Sequence, residues 1–324
     1  MNARHRPRVP WRRALLVVLA ASGLALGAAA AAAAPGQPPA VHAARAVSAP
    51  AAGTCDPTAS SLRPSGPPQV TSGSFMAKIR ARGYLIAGVD QSTYRFGFLN
   101  PLNSQIEGFD IDMVRAVAKA IFGNSNPGTV HFKAISDEQR IPDVSHNIVD
   151  IVAHTMTITC DRLKLVDFSS VYFEANTRVL VLKNSTATGL ASLGGQKVCA
   201  TAGSDSAGII SGYPVTPRLV LVPVPQWTDC LVLLQQGQVA AVSTDDAILA
   251  GLKAQDPFTK IVGPRLAPQP YGLAISKQHP DFVRFVNAVL ATERAGGAWA
   301  ASYARWVSGP GSTPPPPPTA KYAD

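Results

Sequence analysis

The sequence predicts an α/β fold built from two lobes. From about residue 75 to residue 307, strand-like and helix-like segments alternate, which is typical of mostly parallel sheets covered by helices. The alternation starts again near residue 178, which indicates a second sheet. The chain has 324 residues and is 46% hydrophobic, so this central region is long enough to bury a large core.

The first series of elements begins with an apolar strand at 84–89 (YLIAGV). A helix follows, which Asp110 is expected to cap and Gly123 to end. Its apolar stripe consists of Val114, Val117, Ala118 and Ile121. The series continues with a strand at 130–135, a helix with Ile141, Val144 and Ile148 on one face, and a strand at 150–156.

The second series predicts another lobe of the same kind. Its strands are expected at 178–182, 197–200, 219–224, 239–243 and 271–275, with helices starting near Asp205 and spanning 228–236 and 245–254. A final helical pair carries Phe282, Phe285, Val286, Val289 and Leu290, then Trp299, Tyr303 and Trp306. In open α/β sheets, ligands bind beyond the carboxyl ends of the strands, so the residues that follow strands are the candidate site residues.

The N-terminus, residues 1–34, is typical of an export signal. It has a basic start, an apolar run and a stretch of small residues suited to cleavage. The alternative is a retained membrane anchor, because the largely apolar run of 21 residues at 14–34 is just long enough to span a bilayer. No cysteine lies near the end of the apolar run. We therefore expect an exported protein that is secreted or is held at the cell surface by an uncleaved anchor or a partner.

The composition of the other flanks predicts little buried structure. Residues 35–77 are rich in Ala, Pro, Ser and Gly, which favours a flexible tether. Residues 308–324 form a Pro-rich tail, which is expected to be extended and exposed.

The charge pattern argues against nucleic-acid binding. The net charge is +9, but five arginines and no acids lie in residues 1–34, which leaves +4 on the remainder. That remainder has no basic stripe. The sequence also lacks His or Cys at metal-site spacing and the G-x-S-x-G, S-x-x-K and H-E-x-x-H motifs, so we expect no metal and no cofactor.

Four cysteines in an exported chain favour two disulfides, with free buried thiols as the alternative. Three pairings are possible. We favour Cys199–Cys230, because both residues fall in one strand–helix neighbourhood. Cys55–Cys160 would then join the N-terminal arm to the first lobe.

Charged and hydroxyl side chains follow three of the predicted strands. Thr155, Thr157 and Arg162 follow the strand that ends near residue 156, and a guanidinium with open backbone amides suits a carboxylate. Gly203–Ser206 lead into a helix whose N-terminus favours an anion, and Asp245 can hold an ammonium group. Each feature alone could be a turn, a cap or a surface charge. Together they predict a site for the polar end of a free α-amino acid.

Seven segments carry a family resemblance: LIAGVD…YRFGF (85–98), I-x-GFDIDMVRAVAKAI (106–121), RIPDV…VDIVAHTMTITCDR (140–162), VDFSSVYF (166–173), KVCATAGSDS (197–206), AAVSTDDAIL (240–249) and QPYGLAIS (269–276). Over about residues 78–307 the chain resembles family 3 extracellular solute-binding proteins, the amino-acid-binding components of ABC transporters. Within the family it is most similar to actinobacterial glutamate/glutamine-binding proteins, which share the CDPT, ITC-x-R and W-x-D-C segments and the Pro-rich tail.

The resemblance implies a type II periplasmic-binding-protein fold. Two lobes would be joined by extended hinge crossings near 175–180 and 268–273 and would close on a ligand held in the cleft between them. Lobe 1 would comprise 78–177 plus 272–307, and lobe 2 would comprise 178–271.

The resemblance also implies roles for individual residues. Arg162 would grip the α-carboxylate with the assistance of Thr157, and Asp245 and Thr155 would take the α-ammonium. The loop after the first strand would contribute Asp90, Thr93, Tyr94 and Phe96.

Two features depart from the family pattern. Thr93 stands where many members have a stacking aromatic residue, and Asp205 stands where Gly or Thr is usual. We expect Asp205 to be a helix cap turned away from the ligand, which leaves the amides of Ser204 to Ser206 to bind it. Neither Thr201 nor Ala202 is basic, so the candidates for the distal side-chain contact are Arg95, Arg140, His154 and Arg178. Glutamate, glutamine, aspartate and asparagine all remain open as ligands.

The expected partners are a free amino acid and either an ABC transporter permease or a membrane signalling protein, with the chain itself a monomer. The alternative is an enzyme of the same fold, such as a dehydratase that acts on a small carboxylic acid.

Overall fold

The computed structural model describes residues 55–308 and 312–324. The predicted signal segment, 1–34, and the first part of the predicted tether, 35–54, lie outside the described residues. In the described part of the chain, no helix is both long enough and apolar enough to cross a bilayer.

Strands and helices alternate through most of this part. The strands are β1 (Leu85–Val89), β2 (Ser92–Thr93), β3 (Gly97–Asn100), β4 (Gln105–Glu107), β5 (Val130–Ala134), β6 (Ile151–Ala153), β7 (Asp167–Phe168), β8 (Phe173–Leu182), β9 (Lys197–Thr201), β10 (Val220–Val224), β11 (Ala241–Asp245), β12 (Thr259–Val262), β13 (Pro268–Tyr271) and β14 (Ala274–Ile275). The helices are α1 (Phe75–Arg82), α2 (Phe109–Phe122), α3 (Arg140–Ser145), α4 (Cys160–Leu163), α5 (Asp205–Gly212), α6 (Trp227–Gln235), α7 (Asp246–Gln255), α8 (Pro280–Ala295) and α9 (Ala298–Trp306). This order confirms the predicted α/β class.

The sheet of lobe 1 has the strand order β5-β1-β6-β14-β7. β1 lies parallel to β5 and β6, whereas β14 is antiparallel to its neighbours. The helix α2 packs on this sheet through Val114, Val117 and Ile121, which are fully buried. Because β1, β5 and β6 are parallel, their carboxyl ends meet at one edge of the sheet, and the candidate site lies there.

The sheet of lobe 2 has the strand order β10-β9-β11-β8-β12. β9, β10 and β11 run parallel, and β8 runs antiparallel to both β11 and β12. A separate core, which includes Trp227 and Leu249, packs against this sheet. The carboxyl ends of β9 and β11, at Thr201 and Asp245, point toward lobe 1.

Two adjacent extended segments connect the lobes, as predicted. β8 pairs with β13 in its first half, where Phe173 lies opposite Tyr271, and with β11 and β12 in its second half. The predicted strand 271–275 is divided at Gly272. A Cβ atom there would lie 2.8 Å from Ile158 and 2.9 Å from Phe168, so only glycine fits this close approach.

Two predicted helix boundaries were wrong. Asp110 does not cap α2: Gly108 occupies the N-cap position, and Asp110 lies buried in the first turn. The helix through Ile141 ends at Ser145, because Asn147 adopts a left-handed backbone with φ 57°. Ile148 therefore leaves the apolar face and is 48% exposed.

The described part of the predicted tether, 55–77, packs on lobe 1. Ser61 is buried: its hydroxyl donates to the carbonyl of Phe168 (2.7 Å) and accepts from the Asn287 amide (2.7 Å). The tail is extended, and the Ala323 N–H donates to the carbonyl of Ser61 (2.9 Å). The arm and the tail therefore lie side by side on one lobe.

Both predicted disulfides are present. Cys55 pairs with Cys160 and Cys199 pairs with Cys230, with Cα–Cα distances of 6.0 Å and 5.6 Å. Both distances are ordinary for disulfides. Because Cys160 is the first residue of α4, the first bond fastens the arm to the helix that carries Arg162.

Candidate functional site

Arg162 reaches the space between the lobes from lobe 1. The Thr159 hydroxyl caps its short helix α4, and the Arg162 Nη1 donates to the carbonyl of Thr157 (2.7 Å). These contacts fix the guanidinium against a small cavity at the lobe boundary. Burial, reinforced by the nearby charge of Arg140, lowers the pKa of Arg162 to about 10.

Asp245 faces the same cavity from lobe 2. It is 4% exposed, and the Tyr271 hydroxyl donates to its Oδ2 (2.6 Å). Although it precedes α7, its side chain caps no helix N–H. Burial raises the pKa of Asp245 to about 7, and the carboxylates of Asp205 and Asp246 add to this effect. A cation and a carboxylate from opposite lobes therefore share one cavity.

The N-terminus of α5 also lines this cavity, through Ser204, Asp205 and Ser206. The predicted role of Asp205 as a helix cap was wrong, because Ser204 is the cap and accepts from the N–H of Ala207 (3.2 Å). Asp205 does not turn away from the cavity. Its Oδ2 instead accepts from the Gln269 amide of the hinge strand (2.9 Å).

Thr155 and Thr157 line the cavity from lobe 1. Thr155 has a left-handed backbone with φ 43°, and its N–H donates to Asp110 (2.7 Å). Tyr172 donates to the other oxygen of Asp110 (2.7 Å), and burial raises the pKa of Asp110 to about 6. The Thr157 hydroxyl donates to Gln269, so it is already engaged with the hinge.

The two lobes contact each other directly beside this cavity. The carbonyl of Gly203 in lobe 2 accepts from Nη2 of Arg140 (3.3 Å) and from Nη2 of Arg162 (3.3 Å). The Thr201 hydroxyl donates to Asp137 of lobe 1. These bonds require the two lobes to be closed on each other.

A second cavity of about 220 Å³ adjoins the first, and Asp137 and Trp227 line both. It is further lined by Asp90, Gln91, Ser136, Gln139, His154, Thr201 and Gln226. Arg140 pairs with Asp137 (2.9 Å) instead of facing this cavity. Among the described residues, no group of three or more His, Cys, Asp or Glu side chains is arranged to hold a metal ion.

Asp90 and His154 meet at the wall of the second cavity. The Asp90 Oδ1 accepts from the N–H groups of Gln91 (2.6 Å) and Ser92 (2.8 Å), so it first orders its own loop. The His154 Nε2 lies 3.0 Å from the carbonyl of Ile135. Its Nδ1 is buried without a hydrogen-bond partner, 3.4 Å from Asp137.

Several predicted contacts do not reach either cavity. Phe96 is fully buried in the lobe 1 core, and Tyr94 is 39% exposed. Thr93 is buried, with its hydroxyl bonded to Asp90. Of the distal candidates, Arg95 donates to the carbonyl of Val307 (3.1 Å) and Arg178 to that of Gly263 (2.8 Å). Only Arg140 and His154 lie at the site.

Sequence reasoning missed Asp137, Gln226 and Trp227. Asp137 follows β5, and the other two follow β10, so the rule that selects residues after strands would have found them. The loop at Asp137 has the S-x-x-Q pattern of an ordinary helix start, and Trp227 was noted only within the W-x-D-C segment of the family resemblance.

Comparison with known proteins agrees with this geometry. Residues 85–309 match the family described as bacterial extracellular solute-binding proteins, family 3. The ABC transporter glutamine-binding protein GlnH of Bacillus subtilis (strain 168) is 34% identical over 233 residues, which cover 72% of this chain and 84% of the relative. The glutamine-binding protein of Geobacillus stearothermophilus is 35% identical and covers 64% of this chain and 79% of the relative.

A solved structure described as an ancestral arginine-binding protein bound to glutamine is also similar. It is 32% identical and superposes with a TM-score of 0.64 over 69% of this chain and 98% of that chain. The family match covers more than half of the sequence, and the fold and the hinge agree with it. The chain therefore belongs to the bacterial extracellular solute-binding proteins, family 3.

Proposed function

We propose that this protein binds a free α-amino acid outside the cell, with Arg162 on the α-carboxylate and Asp245 on the α-ammonium. The observation that carries the proposal is that these two side chains face one cavity from opposite lobes. A zwitterion that bridges them makes a charge-assisted bond to each lobe and so favours the closed form.

The second cavity favours a side-chain amide over a side-chain carboxylate. Asp90 and Asp137 line it, and His154 is the one titratable base among its described lining residues. Because Arg140 offsets the charge of Asp137, a ligand carboxylate there would meet one uncompensated like charge, that of Asp90, whereas an amide can donate to Asp137 and accept from Gln226 or Gln139. Glutamine is therefore our proposed ligand, with asparagine second. The names of the Bacillus and Geobacillus relatives support the same choice.

The proposed partner is an ABC transporter permease. The Bacillus relative is named as an ABC transporter component, and the chain spans most of its length. Export through residues 1–34 and action as a monomer belong to the same proposal. Signalling to a membrane protein would use the same closed form, so a partner search should include both.

We propose that the protein is not an enzyme. Asp245, with its pKa of about 7, is the group best placed for proton transfer, but its Oδ2 is held by Tyr271. The dehydratase alternative predicts turnover of a prephenate-like acid, which can be followed by absorbance.

Isothermal titration calorimetry with glutamine, glutamate, asparagine and glutarate tests the site. Arg162→Ala should weaken glutamine binding by about 30-fold or more, because removal of one partner of a buried charge pair costs about 2–5 kcal/mol. Arg178→Ala is the matched control, since Arg178 is a partly buried arginine that donates to a carbonyl away from both cavities.

Arg178→Ala should leave the affinity within about twofold. Equal losses in the two variants would overturn the role of Arg162. Tighter binding of glutamate than of glutamine would overturn the assignment of the second cavity. It would leave intact the proposed roles of Arg162 and Asp245, the pair that we call the clamp.

A further inference from the structure

The charges of lobe 2 are divided between the two ends of its sheet. Its carboxylates lie at the cleft end, with one exception: Asp205, Asp229, Asp245 and Asp246 lie at or just after the carboxyl ends of strands. The exception, Asp256, is 6% exposed and hydrogen-bonded to Gln235 and to the N–H of Phe258. The surface at the opposite end therefore carries no exposed acid from this lobe.

Cations collect at that opposite end. We call this surface the basic pole, and define it as Lys183, Lys197, Arg218, Lys253 and Lys260. Lys197 begins β9, Arg218 precedes β10, Lys183 follows β8, and Lys260 is the second residue of β12. The β-ladders place Arg218 near Lys197 and Lys260 near Lys183, on either side of β11 and at the starts of the parallel strands, roughly 13 Å from the cleft. Lys253 lies in the last turn of α7.

The cations of the basic pole have no acidic partners. The described salt bridges all fall in lobe 1, the arm or the tail, and none involves a residue from 178 to 271. Four of the five side chains are exposed, and the fifth, Lys260, donates to the carbonyl of Ser185 (2.8 Å). The positive charge is therefore available to an external anion.

An aromatic side chain projects from the same end. Phe258 is 73% exposed and lies in the turn between α7 and β12. The Lys183 N–H donates to the Phe258 carbonyl (2.8 Å), which holds the backbone of this turn next to Lys183. An exposed aromatic side chain at the same end of the lobe as exposed lysines matches a bilayer interface, where aromatic groups insert and cations meet lipid phosphates.

We propose that the basic pole and Phe258 dock lobe 2 on an anionic phospholipid bilayer. A soluble polyanion would use the cations but would gain nothing from an exposed phenyl ring, which is why a bilayer is the better match. The docked surface lies at the far end of the sheet from the cleft, so the cleft stays accessible. This docking is independent of the ligand and would hold the protein at the membrane without a lipid anchor.

Vesicle co-sedimentation of the full chain tests the proposal, with phosphatidylcholine vesicles that contain or lack phosphatidylglycerol. The test variant is Lys183→Gln/Lys197→Gln/Lys253→Gln, and the matched control is Lys78→Gln/Lys119→Gln/Lys164→Gln on lobe 1. All six lysines are exposed, and both variants remove the same net charge. Any contribution from residues 1–54 is common to all the proteins.

We expect binding to the anionic vesicles that weakens with salt. A cation close to an anionic surface strengthens partitioning by about fivefold, so the lobe 2 variant should lose at least tenfold and the lobe 1 control less than threefold. Phe258→Ser should lose severalfold with every charge retained. Unchanged glutamine affinity would show that the variants remain folded.

Three outcomes would overturn the proposal. Equal losses in the two lysine variants would mean that net charge, and not the basic pole, drives binding. Absence of anionic-vesicle binding would exclude the bilayer. Full binding by Phe258→Ser, together with equally strong capture on polyphosphate beads, would make the surface a polyanion site.

Discussion

Asp245 should make ligand affinity and protein stability respond to pH in opposite directions. In the closed, ligand-free protein its pKa is raised from 3.8 to about 7, chiefly by burial. An ammonium ligand needs the ionised form, so protonation below pH 7 competes with binding. Glutamine should therefore bind about tenfold more weakly at pH 6 than at pH 8, because one proton is bound for each ligand released.

The sign is reversed for the free energy of unfolding. The folded pKa lies above the unfolded value, so the folded state holds the proton more tightly. Stability is therefore lost as the pH rises from about 4 through 7 and the buried group ionises. A shift from 3.8 to about 7 corresponds to about 4 kcal/mol lost by pH 8.

The variant Asp245→Asn separates this group from all other titrations. It keeps an acceptor for the hydroxyl of Tyr271 and removes the charge. Calorimetry should show weak, nearly pH-independent binding, and thermal unfolding at pH 8 should show a ligand-free protein that is more stable than the wild type. A wild-type affinity that stays constant from pH 6 to pH 8, or an Asn variant that binds tightly, would refute the reasoning.

Two further predictions concern the contacts around the clamp. Gly203→Ala places a Cβ 2.7 Å from the Glu138 side chain of the other lobe, so it should weaken ligand binding about tenfold. Gly195→Ala is the control, because it carries the same left-handed strain and should lower Tm by a similar amount, but its Cβ clears its neighbours. Asp110→Ala should also weaken binding about tenfold, because the N–H of the left-handed Thr155 loses its acceptor, and addition of Thr155→Gly should restore part of the affinity if backbone strain is the cause. Calorimetry at pH 8 on the two glycine variants, and on the Asp110 variant with and without Thr155→Gly, checks both predictions. Equal losses of ligand affinity in the two glycine variants would contradict the prediction for Gly203.

The sequence was most informative where chemistry follows a strand. Arg162 and Asp245 were predicted as ligand contacts because a guanidinium and a carboxylate follow strands of the two lobes. Both side chains line the cavity between the lobes. The same rule covers Asp137, which was missed because its loop resembles an ordinary helix start. Local patterns therefore give the candidates, but the choice among them depends on which loops the two lobes bring together.

The errors share a cause, which is that burial depends on distant partners. Phe96 and Tyr94 were expected at the ligand because both are aromatic and follow a strand. Alternation along the loop instead sends Phe96 into the lobe 1 core, in contact with Phe173 and Tyr271. Ser61 lies in a segment whose composition predicts a tether, yet Asn287, far along the chain, buries it. No local window contains either partner.

The two perturbed charges of the clamp explain how a zwitterion can be selected. In the ligand-free closed form, burial lowers the pKa of Arg162 to about 10 and raises that of Asp245 to about 7, so closure disfavours both ionised groups. Each shift corresponds to about 3–4 kcal/mol. Arg162 meanwhile donates only to neutral carbonyls, those of Thr157 and Gly203. In the complex that we propose, a ligand carboxylate would replace the long bond to Gly203 with a charge-assisted one, and an ammonium group would stabilise the Asp245 carboxylate. A molecule with only one of these groups offsets the desolvation cost of one side chain and leaves the cost of the other. Only a zwitterion offsets both costs, and it therefore stabilises the closed form more than either single group does.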